Sequence, residues 1–402
     1  MRKAGFWKTD WFLGLALSLA MLAAANGELI QSLERKAYDM GVAASSRTPS
    51  ERVAVIAIDD QSIANIGRWP WSRDVHARLT DLLVGAKAKV IGNTVLFSEP
   101  QIDPGYAYIT RLLELSRQGA MPAEAAGILQ EAEAALNTDR RLAQSYGATD
   151  TVLLPMLFQL GDPLGRPDQP LPEFVSRNQL TRVNAGSGFA LPTNAVQLPV
   201  PGIGEKAAAI GHLNASVDVD GGIRSEPLVL SYYDQFYPSL SLLIAARSLN
   251  LGPADIQATL GESVRLGKLR IPTDPASRML TFFYKDREGK PAFAVDSFYD
   301  VLSGKIPAAK YQDKIVLIGA TAAGVGASQV TPVSPAMAPV LTLAHSVSSI
   351  LQEHFFVIPA WGLGAELAAY LLVALYLILL LPRLSAGVGA GLPGQECGLG
   401  AP

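Results

Sequence analysis

The period of the apolar positions changes several times along the chain, and each change marks a new element. Residues 11–26 form an uncharged run rich in Leu and Ala. Leu29, Ile30, Leu33, Ala37 and Met40 then recur at helical spacing, which predicts an amphipathic stalk helix over 27–47, ended by Thr48-Pro49. Next comes RVAVIAID (52–59), a nearly continuous β-branched run that suits a parallel strand buried on both faces. Gly67-Arg68-Trp69-Pro70-Trp71 reads as a rigid turn, after which Ser72 or Asp74 can cap a helix with Val75, Leu79, Leu82, Leu83 and Ala86 on one face. KVIGNTVLF (89–97) supplies a second strand. Strand, helix and strand in this succession form a right-handed crossover unit, the seed of a layered α/β fold.

Residues 108–146, rich in Ala, Glu and Leu, predict two surface helices broken at Met121-Pro122. TVLLPMLF (151–158) is a further apolar strand, and 161–201, dense in Pro, Gly and Gln, predicts extended, mobile loops. HLNASVDV and IRSEPLVL flank Asp220-Gly221, a pair that favours a tight hairpin and gives the sheet an antiparallel portion. A helix over 238–250, a short strand over 279–284, a helical turn over 297–303 and the buried strand KIVLIGA (314–320) complete the pattern. The expected architecture is α/β: a layered domain with a mixed, mainly parallel sheet over 48–356, flanked by N- and C-terminal transmembrane helices.

Composition adds the membrane. Hydrophobic residues reach 49% and charged residues only 17%, below the roughly 25% usual for soluble domains. The run at 11–26 is read as a transmembrane signal anchor behind a cytoplasmic N-terminus (1–10) carrying Arg2, Lys3 and Lys8, with Ala23-Ala24-Ala25 as an alternative cleavage site. A second transmembrane helix is expected at 360–381, interrupted only by Glu366 and flanked by Trp361 and Arg383. These readings make the lipid bilayer a partner and place the chain in a bacterial inner membrane with its sensor domain in the periplasm. The Gly-rich tail, 382–402, reads as truncated. A net charge of −3 with scattered Lys and Arg excludes nucleic acid as a partner. The single cysteine, Cys397, excludes an internal disulfide or a structural zinc site.

Several segments carry a family resemblance. AIDDQSIANIGRWPWSRDVHARLTDLL followed by AKVIGNTVLFSEP, then HLNASVDVDGGIRSEPL, YPSLSLLIAAR, KIVLIGATAAGVG and TPVSPAM, resemble in order and spacing the second type of CHASE domain over roughly residues 53–351. The resemblance implies an extracytoplasmic ligand-sensing module, without catalytic residues of its own, that serves a cyclase, histidine kinase or serine/threonine kinase output. It also implies signalling as a homodimer that binds a small-molecule or envelope ligand. The chain departs from the family pattern in three places. Asn93-Thr94 replaces an aromatic-Asp pair, Gly326-Ala327 replaces Gly-Asp, and Val340-Leu341-Thr342-Leu343-Ala344-His345 replaces a run ending in His-Ala-Asn. If those acidic and polar positions contribute to ligand binding, the ligand differs or is lost.

Asp59 and Asp60 follow a buried strand, at the carboxyl edge where open α/β sheets hold ligands. They, with Ser62, are candidate ligand-binding residues; alternatively Asp60 caps the following turn while Asp59 accepts from Arg68 or Arg73. Arg68, Trp69, Trp71, Arg73 and His76 form an aromatic and cationic cluster that suits either ligand stacking or a packing wedge. Ser98 and Glu99 close the second strand beside them. No metal and no cofactor is expected. GATAAGVG lacks the Lys-Ser/Thr of a phosphate loop, so its glycines are expected to serve a turn. The rival reading is an exported metal-dependent hydrolase using Asp59 and Asp60; a third is an envelope-binding protein without signalling.

Overall fold

The computed structural model describes residues 10–24, 27–101, 103, 105–120, 122–166, 170–286, 291–357 and 361–380. The expectations for 1–9, Ala25, Asn26, Arg383, Cys397 and the tail, and for the side chains of Leu29 and Ile30, lie outside the described residues. The chain divides into two units, residues 1–40 with 358–402, and residues 41–357.

In the first unit α1 (Asp10–Ala24) has 15 residues, and the last helix, Gly362–Leu375, has 14 before a π-helical turn at Tyr376–Leu380. The two pack together, with the Tyr370 hydroxyl donating to the Ser18 carbonyl at 3.0 Å. At about 1.5 Å per residue, a helix as long as α1 reaches only about 22 Å, against about 30 Å of hydrocarbon. Among the described residues no helix is long and apolar enough to cross a membrane. The flanking transmembrane helices expected at 11–26 and 360–381 are therefore corrected to shorter apolar helices: the apolar composition is present, the unbroken regular length is not. The stalk is helical as α2 (Glu28–Ala44).

The second unit is built on the β-branched runs. β1 (Val53–Ile58) buries every residue, with Val53 and Val55 in one core and Ala54, Ile56 and Ile58 in the other. Such two-sided burial belongs to a central parallel strand. After α3 (Asp60–Ile66) and α4 (Arg73–Gly85) the chain returns as β2 (Val90–Asn93). The insertion that follows holds three helices rather than the two expected: α5 (Tyr106–Leu115), α6 (Ala123–Leu136) and α7 (Thr138–Gly147). The third exists because Asn137 caps a new start, its side chain accepting from the Arg140 amide at 3.1 Å.

β3 (Val152–Leu160) leads into the stretch expected as loops, which instead contains α8 (Glu173–Ser176), β4 (Arg182–Asn184), β5 (Leu191–Gln197) and α9 (Pro201–Gly204). Its Pro and Gly residues punctuate these short elements; Leu191–Gln197 pairs with strands on both sides, which supplies the order that local composition does not. β6 (Ala209–His212) is followed by the hairpin of β7 (Ser216–Val217) and β8 (Ile223–Pro227), turned at Asp220-Gly221 as expected, with Gly221 at φ +80. β9 (Val229–Tyr232), β10 (Gln235–Pro238) and α10 (Leu240–Ser248) come next. β11 (Ile256–Thr259), β12 (Ser263–Leu266) and β13 (Leu269–Pro272) join β4 in a small second sheet. β14 (Arg278–Leu280) pairs β8. The chain ends its fold with β15 (Ala294–Ser297), α11 (Phe298–Leu302), β16 (Ile315–Ala320), the β17 (Gln329–Thr331) and β18 (Ser334–Met337) pair, and α12 (Pro339–Gln352).

The main sheet has nine strands in the order β10-β9-β5-β3-β2-β16-β1-β15, with β6 also paired to β3. It is mixed: β15, β1, β16, β2, β3 and β6 run parallel, whereas β5 meets β3 and β10 meets β9 antiparallel. α10 and α12 contribute to the core on one face, α4 and α7 to the core on the other, so the α/β layering matches the expectation.

Candidate functional site

Because β1, β16, β2, β3 and β6 are parallel, their carboxyl ends meet on one edge of the sheet. Asp59 leaves β1 there and is the N-cap of α3. Its Oδ1 accepts from the Ser62 amide at 2.8 Å, the Ser62 hydroxyl at 2.5 Å and the Ser297 hydroxyl at 2.9 Å. The cap is thus Asp59 and not Asp60, which is exposed one residue further on. Nor does Asp59 accept from Arg68 or Arg73: Arg68 is exposed, while Arg73 pairs with Asp139 at 3.3 Å, donates to the Glu99 carbonyl at 3.0 Å and lies over the Phe97 ring. Asp59→Ala is expected to cost about 1–2 kcal/mol of stability, measured by urea unfolding, because an orphan helix N–H loses its acceptor. Asp59→Asn keeps that acceptor and should cost less.

The aromatic cluster packs inward. Trp71 is buried, donates its indole N–H to the Gly67 carbonyl at 2.8 Å and meets Phe298 at 4.9 Å. His76 sits among Trp69, Trp71, Phe97 and Phe298 with neither ring nitrogen hydrogen-bonded. Burial first, and the Arg73 charge second, push its pKa down to about 3, so the ring is neutral. Ser98 accepts from the Gln197 side chain at 3.2 Å, and Glu99 is exposed. Among the described residues no three His, Cys, Asp or Glu side chains converge as a metal-binding group.

Along the same edge, toward β16, β2, β3 and β6, opens a cavity of about 450 Å³. Thr94, Val95 and Leu96 extend β2 into its wall, with Leu157 of β3, Leu213 and Asn214 after β6, and Ala320 at the end of β16. Ile223, Ser225 and Glu226 of β8 face it. Val325, Gly326, Ala327 and Gln329 enclose it from the glycine-rich segment expected to be a mere turn, and Val340, Thr342, Leu343 and Ser346 of α12 close the far side. Trp69 is the one sequence-predicted site residue in its lining; the other nine lie outside it.

Most polar groups of the lining already satisfy one another. Asn214 bonds the Phe158 backbone in both directions, at 3.0 and 2.7 Å. The Thr94 hydroxyl donates to the Ile318 carbonyl at 3.1 Å, and the Thr342 hydroxyl to the Gln329 side chain at 2.6 Å. Glu226 is the charged side chain of the lining, which contains no Lys, Arg or His. Its carboxyl accepts from the Ser241 hydroxyl at 2.5 Å, and that serine pairs with Ser239 at 2.9 Å. Desolvation raises its pKa above the ordinary range, opposed by the hydroxyls of Ser241, Ser346 and Ser239.

Glu226 lies outside the candidate residues that the sequence offers. Its signal is a carboxylate inside the mostly apolar run IRSEPLVL. Of the departures from the family pattern, Thr94, Ala327, Val340, Thr342 and Leu343 line the cavity, whereas Asn93, Leu341, Ala344 and His345 do not.

Over residues 14–380 the chain matches the CHASE2 domain family. It belongs to that family. CHASE2 is a family of extracellular or periplasmic sensory domains without catalytic function, so this CHASE2 chain is a sensor acting in signal transduction. No curated protein and no solved structure matches it.

Proposed function

We propose that this CHASE2 domain is the ligand-sensing part of a bacterial signalling receptor, that its ligand occupies the carboxyl-edge cavity, and that α12 reads the occupancy. The observation that carries the reading is the position of α12. Val340, Leu343 and Ser346 are cavity wall, while Ser348 accepts from the Ser50 amide at 2.9 Å and so holds the segment by which the chain enters the domain. On the same helix Ser349 and His345 accept from the amides of Phe282 and Tyr284, both at 3.0 Å. The Tyr284 hydroxyl meets His354 at 3.1 Å, next to where the chain leaves. A ligand that shifts α12 therefore acts on both ends of the domain through bonds that are already made. The reading includes a homodimer and an output of the cyclase or protein-kinase type.

The test uses N-phenyl-1-naphthylamine, an apolar fluorophore, on the purified full chain. Binding with a blue-shifted emission, at least about tenfold weaker in Leu343→Trp, is expected, since the indole enters the cavity. Hydrogen exchange of the Ser50 amide should slow on binding in the parent chain. Binding that Leu343→Trp leaves intact would place the site elsewhere, and binding without any change at Ser50 would remove α12 as the reader. Sedimentation as a monomer at every concentration would remove the dimer alone.

A further inference from the structure

From the electrostatics of this cavity we infer that its ligand is a small organic cation, an apolar amine whose ammonium group pairs with Glu226. The inference rests on the cavity as the sensing site and specifies the chemistry that fills it.

Three observations converge. First, the lining has one carboxylate and no cationic side chain, so an anionic ligand would meet only repulsion and desolvation. The arginines on β8 and β14 are committed elsewhere: Arg224 pairs with Asp218 and Asp220, and Arg278 with Asp274. Second, the partners of Glu226 are hydroxyls of α10 and α12 and the residue preceding α10, which donate to the ionised form without neutralising it. A carboxylate held in apolar surroundings without a counter-ion gains most from a ligand cation, and a charge-assisted hydrogen bond is stronger than a neutral one. Third, the remaining wall is apolar, with Val95, Leu96, Leu157, Leu213, Val340 and Leu343 available for a hydrocarbon body. The cavity volume of about 450 Å³ lies in the usual range for a small-molecule site. The Thr94 and Asn214 side chains are engaged with backbone, Thr342 with Gln329 and Thr281 with Ser346, and none of these neutral groups carries the charge that Glu226 offers an ammonium.

The experiment compares hexylammonium, hexanol and hexanoate, which share a hydrocarbon body and differ in head-group charge, by calorimetric titration of the purified full chain. Hexylammonium is expected to bind at least about tenfold more tightly than hexanol, and hexanoate more weakly than either. In Glu226→Gln the preference for the amine should vanish while hexanol binds as before. If that variant does not fold, the parent chain gives the same answer: amine affinity falls as the pH is lowered through the titration of Glu226, since protonation removes the charge, and hexanol affinity does not. Equal binding of amine and hexanol, or an amine preference that survives Glu226→Gln, overturns the cation. If hexanol binds and Leu343→Trp abolishes it, the sensing cavity stands without the cation; if none of the three binds, both readings fall together.

Discussion

Lowering the pH from neutrality to about 5 is expected to remove on the order of 6 kcal/mol of stability from this domain through three histidines. His76, His212 and His345 are almost completely buried, and burial pushes each pKa from 6.5 down to about 3. The unfolded chain takes up a proton on each as the pH falls through 6.5, whereas the folded chain keeps all three rings neutral until about 3. The unfolded state therefore binds more protons throughout that window, and stability falls as the pH falls. At about pH 5 each ring contributes on the order of 2 kcal/mol to the loss, which three rings bring close to the whole stability of a typical domain. Glu226 works in the opposite direction, because its raised pKa lets the folded state bind a proton first, but it is one group against three. Urea unfolding at neutral and acid pH measures the effect. His76→Leu should flatten the dependence by about a third, since neither nitrogen of His76 has a partner to lose. His345 is not a clean test, because its Nδ1 accepts the Tyr284 amide. A midpoint that does not move between the two pH values would show that the rings are reached by water.

The parts of this fold that were legible in the sequence are those where one local pattern is sufficient. β1, β2 and β16 are continuous apolar runs because both faces of each are covered, and two-sided burial leaves no alternation to misread. The hairpin at Asp220-Gly221 was legible because positive φ is a local demand. The membrane spans were not: residues 11–26 and 360–381 are apolar, but among the described residues no helix is long and apolar enough to cross a membrane. The cavity was hidden for a different reason. Its lining joins Thr94 and Asn214, at the ends of parallel strands, to Glu226 of β8, Gln329 of β17 and Thr342 of α12, residues far apart along the chain, so no spacing reveals them. Asp59, Arg68, Trp69, Trp71, Arg73 and His76, by contrast, stand close together in the sequence; of these Trp69 alone lines the cavity, while Asp59 caps α3 and His76 is buried in a core.

Gly319→Val is expected to cost about 3 kcal/mol and to abolish binding in the cavity, although Gly319 is not itself part of the lining. Gly319 lies near the end of β16, one residue before the cavity wall begins at Ala320. A Cβ built there would stand 2.3 Å from the Thr94 hydroxyl oxygen and 2.6 Å from the Cβ of Val340. Both neighbours are fixed: Thr94 donates to the Ile318 carbonyl at 3.1 Å, and Val340 is a buried, β-branched residue in the first turn of α12. The strain is relieved only by moving the N-terminal turn of α12 off the sheet edge, which takes Val340, Thr342 and Leu343 with it and opens the wall they form. The missing side chain is thus what lets the first turn of α12 pack closely against the sheet edge beside the cavity. A urea midpoint lowered together with loss of N-phenyl-1-naphthylamine fluorescence is the expected result. Lowered stability with unchanged probe binding would mean that the helix yields elsewhere, and that α12 is packed against the site without being coupled to it. The same displacement should loosen the Ser348 bond to the Ser50 amide, so faster hydrogen exchange at Ser50 in Gly319→Val, with no ligand present, is the specific consequence of a single helix linking cavity and chain entry.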